Sequence, residues 1–120
     1  MKIKILENEI ELKYSIRMNI IYENIAGETL DFTNISSIKQ ISTLMLACIY
    51  SSAQIQGITL NLTYDAYMNW LDANGGYQIL NEFALWLADE MMAQYNLLPK
   101  TEEDTEKKKP LKELKTKKKV

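Results

Sequence analysis

Residues 1–27, MKIKILENEIELKYSIRMNIIYENIAG, decide the fold. Lys2-Ile3-Lys4-Ile5-Leu6 and Ile10-Glu11-Leu12-Lys13-Tyr14 each alternate apolar with charged residues, the period of a half-buried strand. Glu7-Asn8-Glu9 between them is short and polar, so the two runs predict a β-hairpin. Ser15 then occupies an N-cap position, with a helix expected over Ile16–Ala26 and Gly27 at its C′ end. The chain therefore opens as two strands delivering into a capped helix.

Further along, Ser37 and Gln40 have capping-box spacing ahead of a helix over Ile38 to about Ala53. Ile38, Ile41, Met45, Cys48, Ile49 and Ser52 share one face of it. Leu44, Leu46, Ala47 and Tyr50 extend the apolar coverage almost all round, which predicts a helix packed on several sides. Gly57 ends it, and Ile58–Leu62 alternates as extended chain. Thr63 caps a third helix, Tyr64 to about Ala73, with Asp65 near the positive end of its dipole. Its stripe is Ala66, Tyr67, Trp70 and Leu71. Asn74-Gly75-Gly76 is a tight reversal into a fourth helix, Tyr77 to about Asn96. That helix carries a broad face of Tyr77, Leu80, Phe83, Ala84, Leu87, Ala88, Met91 and Tyr95, opposite Glu82 and Asp89. Between Gly27 and Ser37, Leu30 and Phe32 alternate as a short extended connector.

The fold class expected is α+β, mostly α: an N-terminal β-hairpin followed by about four helices in one compact domain over residues 1–99. Residues 100–120 are Lys- and Glu-rich, with Leu111, Leu114 and Val120 as their large apolar groups. Such a segment buries too little surface to offset its ordering entropy and reads as a flexible tail. Charge follows the same division. Residues 1–99 carry five basic and eleven acidic groups, net −6, and residues 100–120 carry nine Lys and five acidic groups, net +4. An acidic body with so few cations offers no electrostatic footprint for nucleic acid.

Gln40–Tyr64 is a 25-residue stretch without formal charge, but Ser, Thr, Gln and Asn interrupt it and Gly57 breaks it. Its most apolar part, Leu44–Tyr50, is far short of the roughly 20 residues that span a bilayer, so no membrane association is expected. The N-terminus enters the strand pattern directly and shows no secretory signal. Cys48 is the one cysteine, which fits a reducing compartment.

Chemistry-bearing residues are few. The chain has no histidine, the commonest general base and transition-metal ligand. Cys48 lies in an uncharged apolar run with no activating neighbour and reads as a buried structural thiol. Glu7, Glu9 and Glu11 could gather a hard cation, yet alternate with strand Lys residues as a solvated face does, and no calcium loop accompanies them. Asn74-Gly75-Gly76 lacks the lysine and spaced glycines of a phosphate cradle. No catalytic constellation, cofactor or metal site is expected, and the chain reads as a binding protein rather than an enzyme. Tyr67, Trp70 and Tyr77 are expected in the core, whereas Trp86 divides between core filler and binding anchor. Ile79, Leu85, Trp86 and Met92 fall outside the main stripe of the fourth helix and are the candidate protein-binding residues.

Two blocks carry a resemblance. Ile10-Glu11-Leu12-Lys13-Tyr14-Ser15-Ile16-Arg17 with Ile21-Tyr22-Glu23-Asn24-Ile25-Ala26-Gly27-Glu28-Thr29-Leu30 forms the first. Tyr64-Asp65-Ala66-Tyr67-Met68-Asn69-Trp70-Leu71-Asp72, followed by Leu80-Asn81-Glu82-Phe83 and Trp86-Leu87, forms the second. Together they resemble the tail assembly chaperones of long-tailed bacteriophages and prophages. The resemblance implies a non-virion protein of the bacterial host cytoplasm. It would coat the long, helical, aggregation-prone tape measure protein until tail tube subunits polymerise around it. It further implies contact with the tail tube protein, made by a longer form that arises through a programmed ribosomal frameshift. Lys107-Lys108-Lys109 and Lys117-Lys118-Lys119 suit that device, because Lys codons supply the adenine runs on which ribosomes slip. Self-association into a homo-oligomer is compatible with it.

Two other classes stay open at this point. One is a structural minor tail or connector protein of the virion with the same hairpin-plus-helices layout. The other is a small regulator, for which the usual basic DNA-contacting helix is missing.

Overall fold

The computed structural model describes residues 1–31 and 34–97, with side chains as far as Gln94. Six elements follow in order: β1 (Lys2–Ile5), β2 (Asn8–Glu11), α1 (Ile16–Ala26), α2 (Ile38–Ile55), α3 (Tyr64–Ala73) and α4 (Gly76–Leu97). The hairpin and four helices are those expected from the sequence. The chain divides into two units inside α4, Met1–Asp89 and a second one beginning at Glu90. The expected tail over 100–120 lies outside the described residues, as do Phe32 and Thr33 of the connector. No strand forms among the connector residues that are described.

The hairpin turn differs from expectation. A three-residue connection would pair Leu6 with Ile10 and turn Lys2 and Lys4 onto the same face as Ile10 and Leu12. The antiparallel register instead pairs Ile3 with Ile10 and Ile5 with Asn8, leaving a two-residue turn at Leu6-Glu7. Ile3, Ile5, Ile10 and Leu12 all become buried on one face. Lys2 stands across from Glu11 and Lys4 across from Glu9 on the other, opposite charges in facing positions. Both turn residues adopt positive φ, 51° at Leu6 and 64° at Glu7. That is the primed geometry whose twist matches paired strands, at a backbone cost of about 1–2 kcal/mol per residue for side chains other than glycine. Burial of four large aliphatic groups, each contributing about 1.5–3 kcal/mol, outweighs it. Register was set by the core face, not by turn chemistry.

Helix α1 starts and stops where its caps dictate. Ser15 Oγ accepts from the Met18 amide at 3.3 Å, and Gly27, at φ 71°, donates its amide to Glu23 O at 2.9 Å. At α2 the capping box closes both ways, with Gln40 N donating to Ser37 Oγ at 3.1 Å and Ser37 N donating to Gln40 Oε1 at 3.2 Å.

The core is built on α2, where every residue from Ser42 to Ile49 is buried, as are Ser51, Ser52 and Ala53. A helix buried all round needs its polar groups satisfied internally. Ser42 Oγ donates to Lys39 O and Ser51 Oγ to Cys48 O, back along the helix. Ser52, Cys48 and Gln56 turn toward the chain that follows β2. Lys13 N donates to Ser52 Oγ at 2.8 Å, and the Cys48 thiol donates to Lys13 O at 3.5 Å. Gln56 donates Nε2 to Glu11 O at 2.7 Å, and its Oε1 accepts from Glu11 N at 3.4 Å. Spaced four residues apart along α2 and its C-cap, these side chains take the place of a third strand along the outer edge of β2. On the far edge, Trp70 Nε1 donates to Lys4 O at 2.9 Å. Edge backbone groups that would otherwise invite pairing with another chain are thus covered by side chains from two helices.

Helix α3 is held to α2 through Tyr67, fully buried, whose hydroxyl donates to Ser42 O at 2.6 Å. The Tyr50 hydroxyl donates to Leu62 O and fixes the extended chain ahead of α3. Burial raises three phenols above their ordinary value of 10.0: buried Tyr67 strongly, half-buried Tyr50 by burial alone, and buried Tyr22 by burial reinforced by its bond to Glu28. Unfolded, these tyrosines ionise near 10, and folded they ionise only at higher pH. Their contribution is therefore complete below pH 10 and falls as pH rises beyond it. In an alkaline titration part of the tyrosinate absorbance should appear only together with loss of far-ultraviolet ellipticity, and Tyr67→Phe should flatten that pH dependence. Ionisation of all seven tyrosines near pH 10 with the helices intact would contradict the burial argument.

Candidate functional site

In α4, Leu80, Phe83 and Leu87 are buried, and Trp86 lies tilted against Phe83 at 5.7 Å between ring centroids. This stripe is narrower than the sequence suggested. Tyr77, expected in the core, is 79% exposed, and Ala88 is exposed too. Ile38, expected on the inner face of α2, is 57% exposed. The common reason is position. Ile38 directly follows an N-cap and Tyr77 stands one residue beyond the α3–α4 turn, so neither has a preceding helical turn beside it to complete its burial.

The turn itself uses its two glycines differently. Gly75 adopts φ 67°, which side chains rarely tolerate. At Gly76 an added Cβ would stand 3.0 Å from Leu71 O, a tight contact, so α4 leaves the end of α3 at closer range than a larger residue would comfortably allow. Asn74 completes the corner, its Nδ2 donating to Trp70 O at 2.7 Å.

Around this corner two depressions adjoin, sharing Ile38, Tyr77 and Leu80. One, of about 490 Å³, runs between α3 and α4 past Met68, Leu71, Asp72 and Gly75. The other, of about 350 Å³, continues toward Ile35, Ile41, Asn81 and Ala84. All of these residues belong to the Met1–Asp89 unit. The lining combines aliphatic and aromatic groups with hydroxyl, amide and one carboxyl group, that of Asp72.

The four candidate residues are not brought together. Leu85 is 63% exposed and lies one turn beyond Asn81, on the groove side of α4. Ile79 and Trp86, seven residues apart, share the opposite flank and are half-buried, with Glu82 and Asp89 on the strip between. Met92 is also 63% exposed, but belongs to the second unit. Ile38 and Tyr77 were missed as surface groups, although an apolar residue in the first turn after a cap is a recognisable signal for incomplete burial.

Other chemistry is sparse. Among the described residues no group of three or more His, Cys, Asp or Glu side chains could hold a metal ion. Glu11 sits beside the Met1 ammonium at 3.1 Å, whose hydrogen bond and charge hold its carboxyl below the ordinary range. Cys48 is fully buried, with its thiol used structurally as above. Among the described residues no helix is long and apolar enough to cross a membrane. No family model, no curated protein and no solved structure matches this chain.

Proposed function

We propose that this protein is a non-enzymatic tail assembly chaperone of a long-tailed phage or prophage, acting in the bacterial host cytoplasm on the helical tape measure protein. The observation that carries the reading is the apolar groove at the α3–α4 corner, flanked by exposed Ile38, Tyr77 and Leu85. A chaperone for a helical client needs such a groove and no reactive group, because an amphipathic helix docks by laying its apolar face into it. The hairpin-then-helices order agrees with the resemblance carried by residues 10–30 and 64–87. The tail tube protein is the second proposed partner.

The test is co-expression with a phage tape measure protein, which this reading expects to be encoded beside the chain. Wild-type protein is expected to keep that client soluble and to co-purify with it. Leu85→Asp should weaken binding about tenfold or more, since it places a charge where an apolar contact is made. Trp86→Ala reports on the other flank of α4. If both variants keep wild-type helicity and full client binding, this surface is not the one used. Stoichiometric recovery of the chain in purified virions would instead favour a structural tail component.

A further inference from the structure

The groove has a charge character that its apolar lining conceals. No Lys or Arg occurs between Gln40 and Pro99, so every charged side chain on α3 and α4 is acidic. On α3, Asp65 and Asp72 are seven residues apart on the face that carries Met68, and Asp72 itself lines the groove. On α4, Glu82 and Asp89 repeat the same spacing. All four carboxylates are exposed. The nearest cation in sequence, Lys39, lines a different depression, with Tyr22, Glu28 and Tyr64.

Building on the proposed reading as a binder of a helical client, we infer that the groove selects a cationic amphipathic helix, one whose apolar stripe is bordered by Lys or Arg. Apolar contact with Ile38, Tyr77 and Leu80 supplies affinity, and Asp72 in the lining, with the other carboxylates on the exposed faces of α3 and α4, supplies orientation and selection against acidic helices. One effect opposes this. The N-termini of α2 and α4 both border the groove, each contributing roughly half a positive charge. Asp72 places a full charge in the groove lining, Asp65 lies on the same face of α3, and the dipole of α2 is already satisfied by its capping box. The same charges disfavour a second copy of this face as occupant, since a two-fold contact would set acid against acid.

Two synthetic helices of about 18 residues, sharing one Leu stripe and carrying either Lys or Glu elsewhere, test the inference against the full chain by fluorescence anisotropy. The Lys helix is expected to bind about tenfold or more tighter than the Glu helix in low salt, with the gap closing severalfold as salt rises from roughly 50 mM to roughly 500 mM. Asp65→Asn with Asp72→Asn should lower the preference severalfold, and Tyr77→Ser should weaken the Lys helix in high salt as well. All these positions are exposed, so the variants should retain wild-type ellipticity. Equal or tighter binding of the Glu helix would overturn the inference. So would Lys-helix binding indifferent to Tyr77→Ser, which marks general cation adsorption, or self-association of the chain that Tyr77→Ser abolishes, which marks a second copy as occupant. Should the natural client still be solubilised while the Lys helix shows no preference, the charge inference alone fails. Should the Lys helix bind as expected while the natural client does not, the chaperone reading fails and the groove's selectivity stands.

Discussion

Replacing Phe83 with alanine is expected to destabilise the protein by about 3–5 kcal/mol, the range for truncating a buried aromatic side chain. Phe83 is fully buried, centred in the narrow Leu80-Phe83-Leu87 stripe by which α4 joins the core. Its ring also supports Trp86, so truncation removes a contact on the flank as well as opening a cavity inside. Because domains of this size are stable by only about 5–15 kcal/mol, the variant should stand close to the limit of folding. Urea unfolding followed by circular dichroism measures this directly, as a lower midpoint at unchanged slope. A loss under about 1 kcal/mol would mean that α4 is not anchored through Phe83.

The second large effect is expected at Ser52, through a different mechanism. Ser52→Ala deletes only the hydroxyl, and with it the acceptor that the Lys13 amide uses at 2.8 Å. Ser52 is fully buried, so water cannot substitute readily. An orphaned amide of this kind costs about 1–3 kcal/mol. The loss should be local as well as global. Hydrogen exchange at Lys13, and at Glu11 beside it, should accelerate before the helices lose protection, because the Cys48-Ser52-Gln56 seam is what holds the hairpin edge. Unchanged exchange at both amides would show that β2 stays in place without the seam.

These two cases mark what the sequence made legible. Helix positions were readable because caps act locally: Ser15, Ser37 and Thr63 each accept from the amide three residues on, as their spacing requires. The near-total burial of α2 was readable from its uncharged composition. The position of the hairpin turn was less legible, because Glu7-Asn8-Glu9 look like turn residues, whereas the buried face of isoleucines governs pairing and places the turn at Leu6-Glu7 with positive φ. The seam was not anticipated. Ser52 and Gln56 look like ordinary helix residues, and only the tertiary approach of residues 11–13 gives them a role. The groove was half legible. Leu85 stood out as an apolar group off the main stripe, but Ile38 and Tyr77 were assigned inward because periodicity alone does not reveal where the neighbouring element stops.

The central claim is that an exposed apolar groove on an acidic helical face serves to hold a helical client. The most direct measurement is the solubility of the proposed client, a phage tape measure protein, co-expressed with wild type and with Leu85→Asp. The account predicts a soluble, co-purifying complex with wild type, and an insoluble client with a Leu85→Asp protein that is itself folded. A client equally soluble without this chain, or one that never associates with it, would contradict the claim.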